Sequence, residues 1–481
     1  MTTGTAEINQ IIECDICVIG GGSGGLSTAA GAAQMGAKVV LIERAQMGGD
    51  CLNTGCVPSK SLIAAAHKAH SSLTGAQFGV YFHPPHIEFK RVHDHIHEVI
   101  ASIAPHDSVE RFESLGIRVL KESATFNSAD EVLAGPYRVR ARRFVVATGS
   151  RAAIPPVKGL AGSKPLTNET VFDLTELPSH LIVLGGGPIG LEMAQSFRRL
   201  GAAVTILERL SILPRDEPEA SERARAALLR DGVILMENVE VTEVRSDCGG
   251  VRVDIVGLEK KTVSGSHILV AAGRIPNTEA LNLEAAGIAF GPRGIAVDSR
   301  LRSSNHNVFA IGDVSGGPQF THIAAYHAGI VIQNALLGLP AKVNYHALPW
   351  VTYLDPEIAH VGLTESEAKK QHGTIKVLQE NYSENDRARA ERRTEGYVKI
   401  VVGRRGRVLG ATIVAPHAGE MIALWGLAIS KKLPISAIAG MIVPYPTMSE
   451  LSKRVAGSYF TPSLYGKRMR RFVKLVQRWL P

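Results

Sequence analysis

Two stretches of this chain, 165 residues apart, follow one plan and leave few folds open to it. In residues 14–44 the apolar run Ile16-Cys17-Val18-Ile19 leads into Gly20-Gly21-Gly22-Ser23-Gly24-Gly25. A helix of small residues follows, then Lys38-Val39-Val40-Leu41-Ile42, ending in Glu43. In residues 181–208 Leu181-Ile182-Val183-Leu184 leads into Gly185-Gly186-Gly187-Pro188-Ile189-Gly190, a helix, and Val204-Thr205-Ile206-Leu207, ending in Glu208. A strand–turn–helix–strand unit with this glycine spacing is a nucleotide-binding half-fold. The first glycine (Gly20, Gly185) permits the turn, and the second (Gly22, Gly187) admits a pyrophosphate. The third (Gly25, Gly190) lets the helix pack on the strand, and the helix N-terminus receives the phosphate charge. Glu43 and Glu208 each follow the last glycine by 18 residues, where they can accept from ribose hydroxyls. Glu208 would repel a 2′-phosphate, so the second site favours NADH over NADPH, with Arg209 acting against that preference. The competing reading of each turn is an ordinary glycine-rich turn in an α/β sheet.

A chain of 481 residues has room for about three domains. Between the two units, residues 86–116 read as helix and 117–146 as β-meander. The run Phe144-Val145-Val146-Ala147-Thr148-Gly149-Ser150 closes the first segment, and the Pro-rich stretch from Ile154 to Pro165 reads as a linker. The run Ile268-Leu269-Val270-Ala271-Ala272-Gly273 closes the second unit in the same way, and Val308-Phe309-Ala310-Ile311-Gly312-Asp313 is an apolar strand ending in an acid. Gly149, Gly273 and Asp313 join the fingerprint residues as candidates for cofactor binding. From about 347 the glycine fingerprint is lost and a different architecture begins. The expected fold class is α/β: two Rossmann-like three-layer domains and an α+β C-terminal domain. The boundaries drawn are 1–153, 154–276, 277–346 (a return to the first domain), 347–462, and a tail at 463–481.

The net charge is +8, but Lys467, Arg468, Arg470, Arg471, Lys474 and Arg478 account for most of it and leave about +2 for the remainder. The basicity is therefore local and does not mark a nucleic-acid surface. In the tail, Tyr465, Met469, Phe472, Val473, Val476, Trp479 and Leu480 fall on one helical face, with the cations on much of the rest. Such a helix can lie in an anionic membrane interface, pack on its own dimer, or hold a partner protein. No apolar run reaches the length of a membrane-spanning helix, and five cysteines do not make a secreted disulfide scaffold. A cytoplasmic protein is expected, at most peripheral at the inner face of a membrane.

The segment Gly48-Gly49-Asp50-Cys51-Leu52-Asn53-Thr54-Gly55-Cys56-Val57-Pro58-Ser59-Lys60 lies directly after the first nucleotide unit. Two cysteines at this spacing can meet across a helical turn and close a disulfide, and a neighbouring cation favours the thiolate after reduction. The alternative is a pair of buried structural thiols. With this motif the chain resembles the FAD-dependent pyridine nucleotide–disulfide oxidoreductases, among them dihydrolipoamide dehydrogenase, glutathione reductase and mercuric reductase, over about residues 12–460. The resemblance implies that Gly20, Gly22, Gly25 and Glu43 hold the adenosine half of FAD and that Asp313 binds its ribityl–pyrophosphate region. It implies that Gly185, Gly187, Gly190 and Glu208 hold NAD(H). It makes Cys56 the flavin-proximal thiol, Cys51 the thiol that attacks substrate, and Lys60 and Glu192 an ion pair near the flavin. The third domain resembles a dimerisation domain, so a homodimer with shared active sites is implied, acting on a small-molecule or protein disulfide, or in reverse on a dithiol.

The chain also departs from that family. Where most of its disulfide reductases carry a His–Glu dyad, this sequence reads Val443-Pro444-Tyr445-Pro446-Thr447-Met448-Ser449-Glu450. Tyr445 stands at the histidine position and Glu450 is kept. A tyrosine titrates near ~10 rather than ~6.5, so it is a poor base at neutral pH. The vicinal cysteine pair that mercuric reductases add near the C-terminus is absent, the last cysteine being Cys248. The alternatives kept open are a mercuric reductase-like enzyme and an NADH:quinone-type diaphorase at a membrane surface. Cys14 and Cys17, three apart on the first strand, are expected to be buried thiols on opposite faces. Eight of the 17 histidines fall between residues 67 and 106. His93 and His97 share a helix face, but a solvated face is expected rather than a metal site. His322 and His327 are read as structural, with proton transfer as the alternative.

Overall fold

The computed structural model describes residues 10–247 and 249–480, so Cys248 lies outside the described residues. The chain divides into two compact units: residues through 185 with 196–204 and 240–343, and residues 186–195, 205–239 and 344–481.

In the first unit strand Gln10–Ile19 is central. It pairs in parallel with Val39–Ile42 on one side and with Tyr137–Val146 on the other. Arg118–Leu120 extends the sheet beyond Val39–Ile42, and Val308–Ala310 pairs with Tyr137–Val146, both in parallel. Strands Ala124–Ser128, Glu131–Ala134 and Tyr137–Val146 form the antiparallel meander. The meander read for 117–146 therefore holds only from 124. Arg118–Leu120 joins the parallel edge because helix Val109–Ser114 gives the chain the crossover a parallel strand needs. Ile16, Val18 and Leu41 face one apolar layer, with Leu26, Ala29 and Val331. Cys17, Ile19 and Ile42 face the other, with Phe126 and Phe144. Burial on both faces explains why these strands read as unbroken apolar runs. This unit also holds the parallel pair His180–Leu184 and His267–Val270, and an antiparallel ribbon of Glu240–Asp247, Gly250–Val256 and Lys260–Gly265.

One expectation fails in the first strand. Cys14 and Cys17 do not point to opposite faces; both pack in the layer that holds Ile12 and Ile19. The amides of Asp15 and Ile16 both donate to the carbonyl of Lys38, at 2.9 and 3.2 Å. The facing reverses between Cys14 and Ile16 without an inserted residue, since pairing with Tyr137–Val146 keeps one register from Cys14↔Ala141 to Ile16↔Arg143. The burial of both thiols, in contrast, is as expected.

In the second unit residues 205–207 pair in parallel with Ile234–Met236. The C-terminal region is an antiparallel sheet in the order Pro349–Thr352, Glu357–Gly362, Val408–Ala415, Tyr397–Val402, Lys376–Asn381. Helix Ala418–Ser430 places Trp425 in the core, where its indole N–H donates to Ser452 Oγ at 3.3 Å. Lys399 lies buried in the same unit, its ammonium on Glu217 (3.0 Å), Glu219 (3.1 Å) and Glu365 (2.7 Å). Burial would lower its pKa, but the three carboxylates outweigh that and hold it above the usual lysine range. Glu217 is equally buried. Lys399→Met should therefore strand a buried carboxylate and lose about 3–5 kcal/mol in urea denaturation. No helix among the described residues is long and apolar enough to cross a membrane.

Candidate functional site

The first glycine turn is closed by backbone. A Cβ on Gly20, whose φ is +110°, would lie 2.4 Å from the Ala147 carbonyl oxygen, and one on Gly25 would lie 1.8 Å from that of Gly20. At Gly22 the nearest atom to such a Cβ is 3.8 Å away, so this position opens outward. Helix Ser23–Gln34 starts there with no side chain capping its N-terminus, which leaves its first amides for an anion. Glu43 accepts from the Gly21 amide at 2.5 Å and the Ala45 amide at 2.6 Å.

The second turn repeats this in its own residues. Glu208 accepts from the Gly186 amide at 2.6 Å and the Leu210 amide at 2.8 Å. A Cβ on Gly187 would meet nothing within 4 Å, whereas one on Gly186 would lie 2.8 Å from Ile212. Gly185 keeps a φ of +113°, and Gly190 is buried in helix Pro188–Arg199. Gly21 and Gly186 were not singled out from the sequence, yet each brings an amide to the acid that follows. The signal was the run of three glycines in both copies. Both cradles fit a dinucleotide: each has an open second glycine and an acid fixed by two amides.

Cys51 lies on the short helix Gly49–Asn53, and Cys56 is the first residue of helix Cys56–Leu73. All four described cysteines are free thiols. The thiols of Cys51 and Cys56 are neighbours that shift each other's titration, and Cys56 Sγ lies 3.3 Å from Thr321 Oγ1. Cys51 lowers the Cys56 pKa to about 6; Thr321 and the Lys60 charge add to this against burial and Asp50. Cys56 in turn, with burial, holds Cys51 far above the ordinary thiol range. The two thiols therefore titrate as a pair, with one proton shared between them near neutral pH. An open groove of about 410 Å³ lies beside Cys56, lined by Lys60, Ala64, His95, Val99 and Ile103.

Asp313 sits in a turn after strand Val308–Ala310. It accepts from Ser150 Oγ at 2.5 Å and faces Arg274 Nε at 3.5 Å. Arg274 reaches on to Asp50 at 3.2 Å, beside Cys51. Burial raises the Asp313 pKa despite these partners. Gly149 and Gly273 both have positive φ, at +67° and +124°, and open space where a Cβ would be. His327 is fully buried, and its Nδ1 accepts from the Gly312 amide at 3.1 Å. Burial lowers its pKa to about 4, so it is a neutral prop for the Asp313 turn, the structural role expected.

In the second unit Glu192 is buried and accepts from the Tyr353 amide at 2.9 Å. Tyr445 Oη donates to Asp386 Oδ2 at 2.9 Å, and that carboxylate raises its pKa. Glu450 accepts instead from Asn385 at 3.2 Å and Arg454 at 3.5 Å. His93 and His97 stack with ring centroids 4.1 Å apart, and no group of three His, Cys, Asp or Glu among the described residues is arranged to hold a metal.

Residues 14–328 match the profile described as pyridine nucleotide-disulphide oxidoreductase, and residues 348–456 match the dimerisation domain of the same family. The chain is 35% identical over 457 residues to a mercuric reductase of Streptomyces lividans, covering 92% of this chain and 96% of the relative. It is likewise 35% identical over 456 residues to a dihydrolipoyl dehydrogenase of Geobacillus stearothermophilus, again covering 92% and 96%. Among solved structures, the HOCl-induced flavoprotein disulfide reductase RclA of Escherichia coli aligns with a TM-score of 0.83 at 28% identity. LpdA of Mycobacterium tuberculosis aligns at 0.85 and 27%. Each alignment covers 92% of this chain and 99% of the other.

Proposed function

The chain belongs to the pyridine nucleotide-disulphide oxidoreductase family, and from that premise we propose that it is an NADH-dependent reductase of disulfides working through Cys51 and Cys56. The observation that carries this reading is the pair of neighbouring free thiols, with Cys56 at a helix N-terminus, 3.3 Å from Thr321 Oγ1, and its pKa lowered. The family is FAD-dependent and binds a pyridine nucleotide. FAD, when bound, accepts a hydride from the nicotinamide and delivers two electrons to a disulfide. The residues proposed to hold it are Gly20, Gly22, Gly25, Glu43, Gly149 and Asp313. Those proposed for NADH are Gly185, Gly187, Gly190, Glu208 and Gly273, with Lys60 and Glu192 as the pair beside the flavin.

The reduced pair then does the sulfur chemistry. With the shared proton on Cys56, the Cys51 thiolate attacks one sulfur of the substrate. The substrate S–S bond breaks, and the first leaving sulfur takes the proton from Cys56. The regenerated Cys56 thiolate attacks Cys51, closes the Cys51–Cys56 disulfide, and releases the second sulfur as a thiolate that water protonates. Two electrons leave the pair, and no imidazole is required. In the proposed homodimer the partner's Tyr445 borders this site, oriented by Asp386, with Glu450 as part of its support.

This predicts the effect of restoring the missing imidazole. With dihydrolipoamide and NAD⁺, the native protein should turn over, and Tyr445→His should gain less than about tenfold. A gain in the range of about 10²–10⁴, characteristic of a general base, would show that proton transfer within the pair is insufficient. The nucleotide preference is tested separately. Glu208 is fixed by two amides, and its charge is proposed to meet the ribose of the nucleotide. Glu208→Ala should lower kcat/KM for NADH by about 10–100-fold, the worth of a charged hydrogen-bonding group, and narrow the preference over NADPH.

A further inference from the structure

The tail is not absorbed by the redox reading. Helix Lys467–Val476 has no buried residue, and its ladder continues in tighter turns to the amide of Leu480, which donates to the Val476 carbonyl at 3.1 Å. On this helix Met469, Phe472, Val473, Val476, Trp479 and Leu480 fill one contiguous arc, and Lys467, Arg470, Arg471, Lys474 and Arg478 fill the opposite one, with Arg468 at the border. Phe472, Trp479 and Leu480 are exposed, Trp479 by 83%. No acid lies between 463 and 481. The matched dimerisation domain ends at residue 456, before this helix begins.

We propose that residues 463–481 dock the enzyme flat on an anionic lipid surface. Charge decides among the occupants. A second copy of the helix, packed apolar face to apolar face, would cover the rings but leave the cations of both copies on the outside with no acid in the segment to pair them. A nucleic acid would meet the cations but leave Phe472, Trp479 and Leu480 in water. A bilayer rich in anionic lipid takes both arcs at once: the rings enter the headgroup boundary, and the Lys and Arg side chains reach the phosphates. A Trp at the helix end suits that boundary, being apolar in body with a polar N–H.

The test is flotation of the full-length holoprotein with vesicles of equal parts phosphatidylglycerol and phosphatidylcholine, against pure phosphatidylcholine, at low salt. Binding should be confined to the anionic vesicles and weaken in molar salt. Each Lys or Arg at such a surface strengthens partition about fivefold, so Arg470→Glu with Arg471→Glu and Lys474→Glu should weaken it at least about 100-fold. Phe472→Ala with Trp479→Ala should weaken it about tenfold or more. Protein ending at residue 462 should not float but should keep its NADH-dependent disulfide turnover. Four results would each overturn the proposal. They are no flotation of the native protein, equal flotation without the tail, full binding after loss of both aromatic rings, and a dimer that dissociates when the tail is removed. The last would mean that a second copy covers the apolar face.

Discussion

Cys56→Ser is expected to lower NADH-dependent disulfide reduction by more than about 10³-fold while leaving folding and flavin content intact. The serine is nearly isosteric, and Thr321 Oγ1, 3.3 Å from the sulfur, can still hydrogen-bond to it. What is lost is chemical. No S–S bond can close to Cys51, the acceptor of its proton is gone, and a substrate captured by Cys51 cannot be released. Steady-state rates with lipoamide and with a quinone separate the readings. Loss of both, or retention of the disulfide rate, would remove the role assigned to the pair. A quinone rate kept alone fits flavin chemistry that bypasses the thiols. The same residue predicts a pH profile. Because the Cys56 pKa is lowered to about 6, its thiolate forms as pH rises through that value. Iodoacetamide labelling of the reduced enzyme should climb between roughly one pH unit below and one above it, and then level off. A climb centred on the ordinary thiol value of ~8.5 would mean that Cys51 does not lower it in solution.

The second large effect is expected from one methyl group. Gly25→Ala would put a Cβ 1.8 Å from the Gly20 carbonyl oxygen. That oxygen belongs to the turn itself, and no flexible side chain can move aside for it. Relief requires the helix to slide off the strand, which takes its first amides away from any phosphate they would hold. Overpacking of this kind costs typically about 1–3 kcal/mol, and more against rigid backbone. The variant should purify with less than about a tenth of the native flavin content. Flavin absorbance against protein concentration measures this, and full occupancy would sink the assignment of this turn.

Both predictions rest on residues that were readable in the sequence, and for one reason. Glycine spacing, the trailing acid and the cysteine motif are short-range signals, set by local sterics and by contacts within a single unit. Partners brought from a distance were not readable. Thr321 meets Cys56 across 265 positions, and Arg274 meets Ser150 across 124. Asp386 meets Tyr445 across 59, so the tyrosine was recognised as a substitution but its carboxylate was not. The strand Arg118–Leu120 was misplaced because a short apolar strand reads alike in a meander and at a parallel edge. The reversal of facing at Asp15 and Ile16 is not legible because alternation assumes a regular strand, and no glycine or proline marks the irregularity.

That reversal of facing separates the described cysteines into two kinds. By turning Cys14 into the layer that already holds Cys17, it encloses both in hydrocarbon. There burial raises the Cys14 pKa to about 12 and that of Cys17 well above the ordinary value. Thiol–disulfide exchange runs through the anion, so burial disfavours the reactive form of both sulfurs. An oxidant dosed against the reduced enzyme should therefore consume Cys51 and Cys56 and leave Cys14 and Cys17 reduced. A catalyst that repeatedly makes and breaks its own disulfide is in this way insulated from scrambling by its own neighbours.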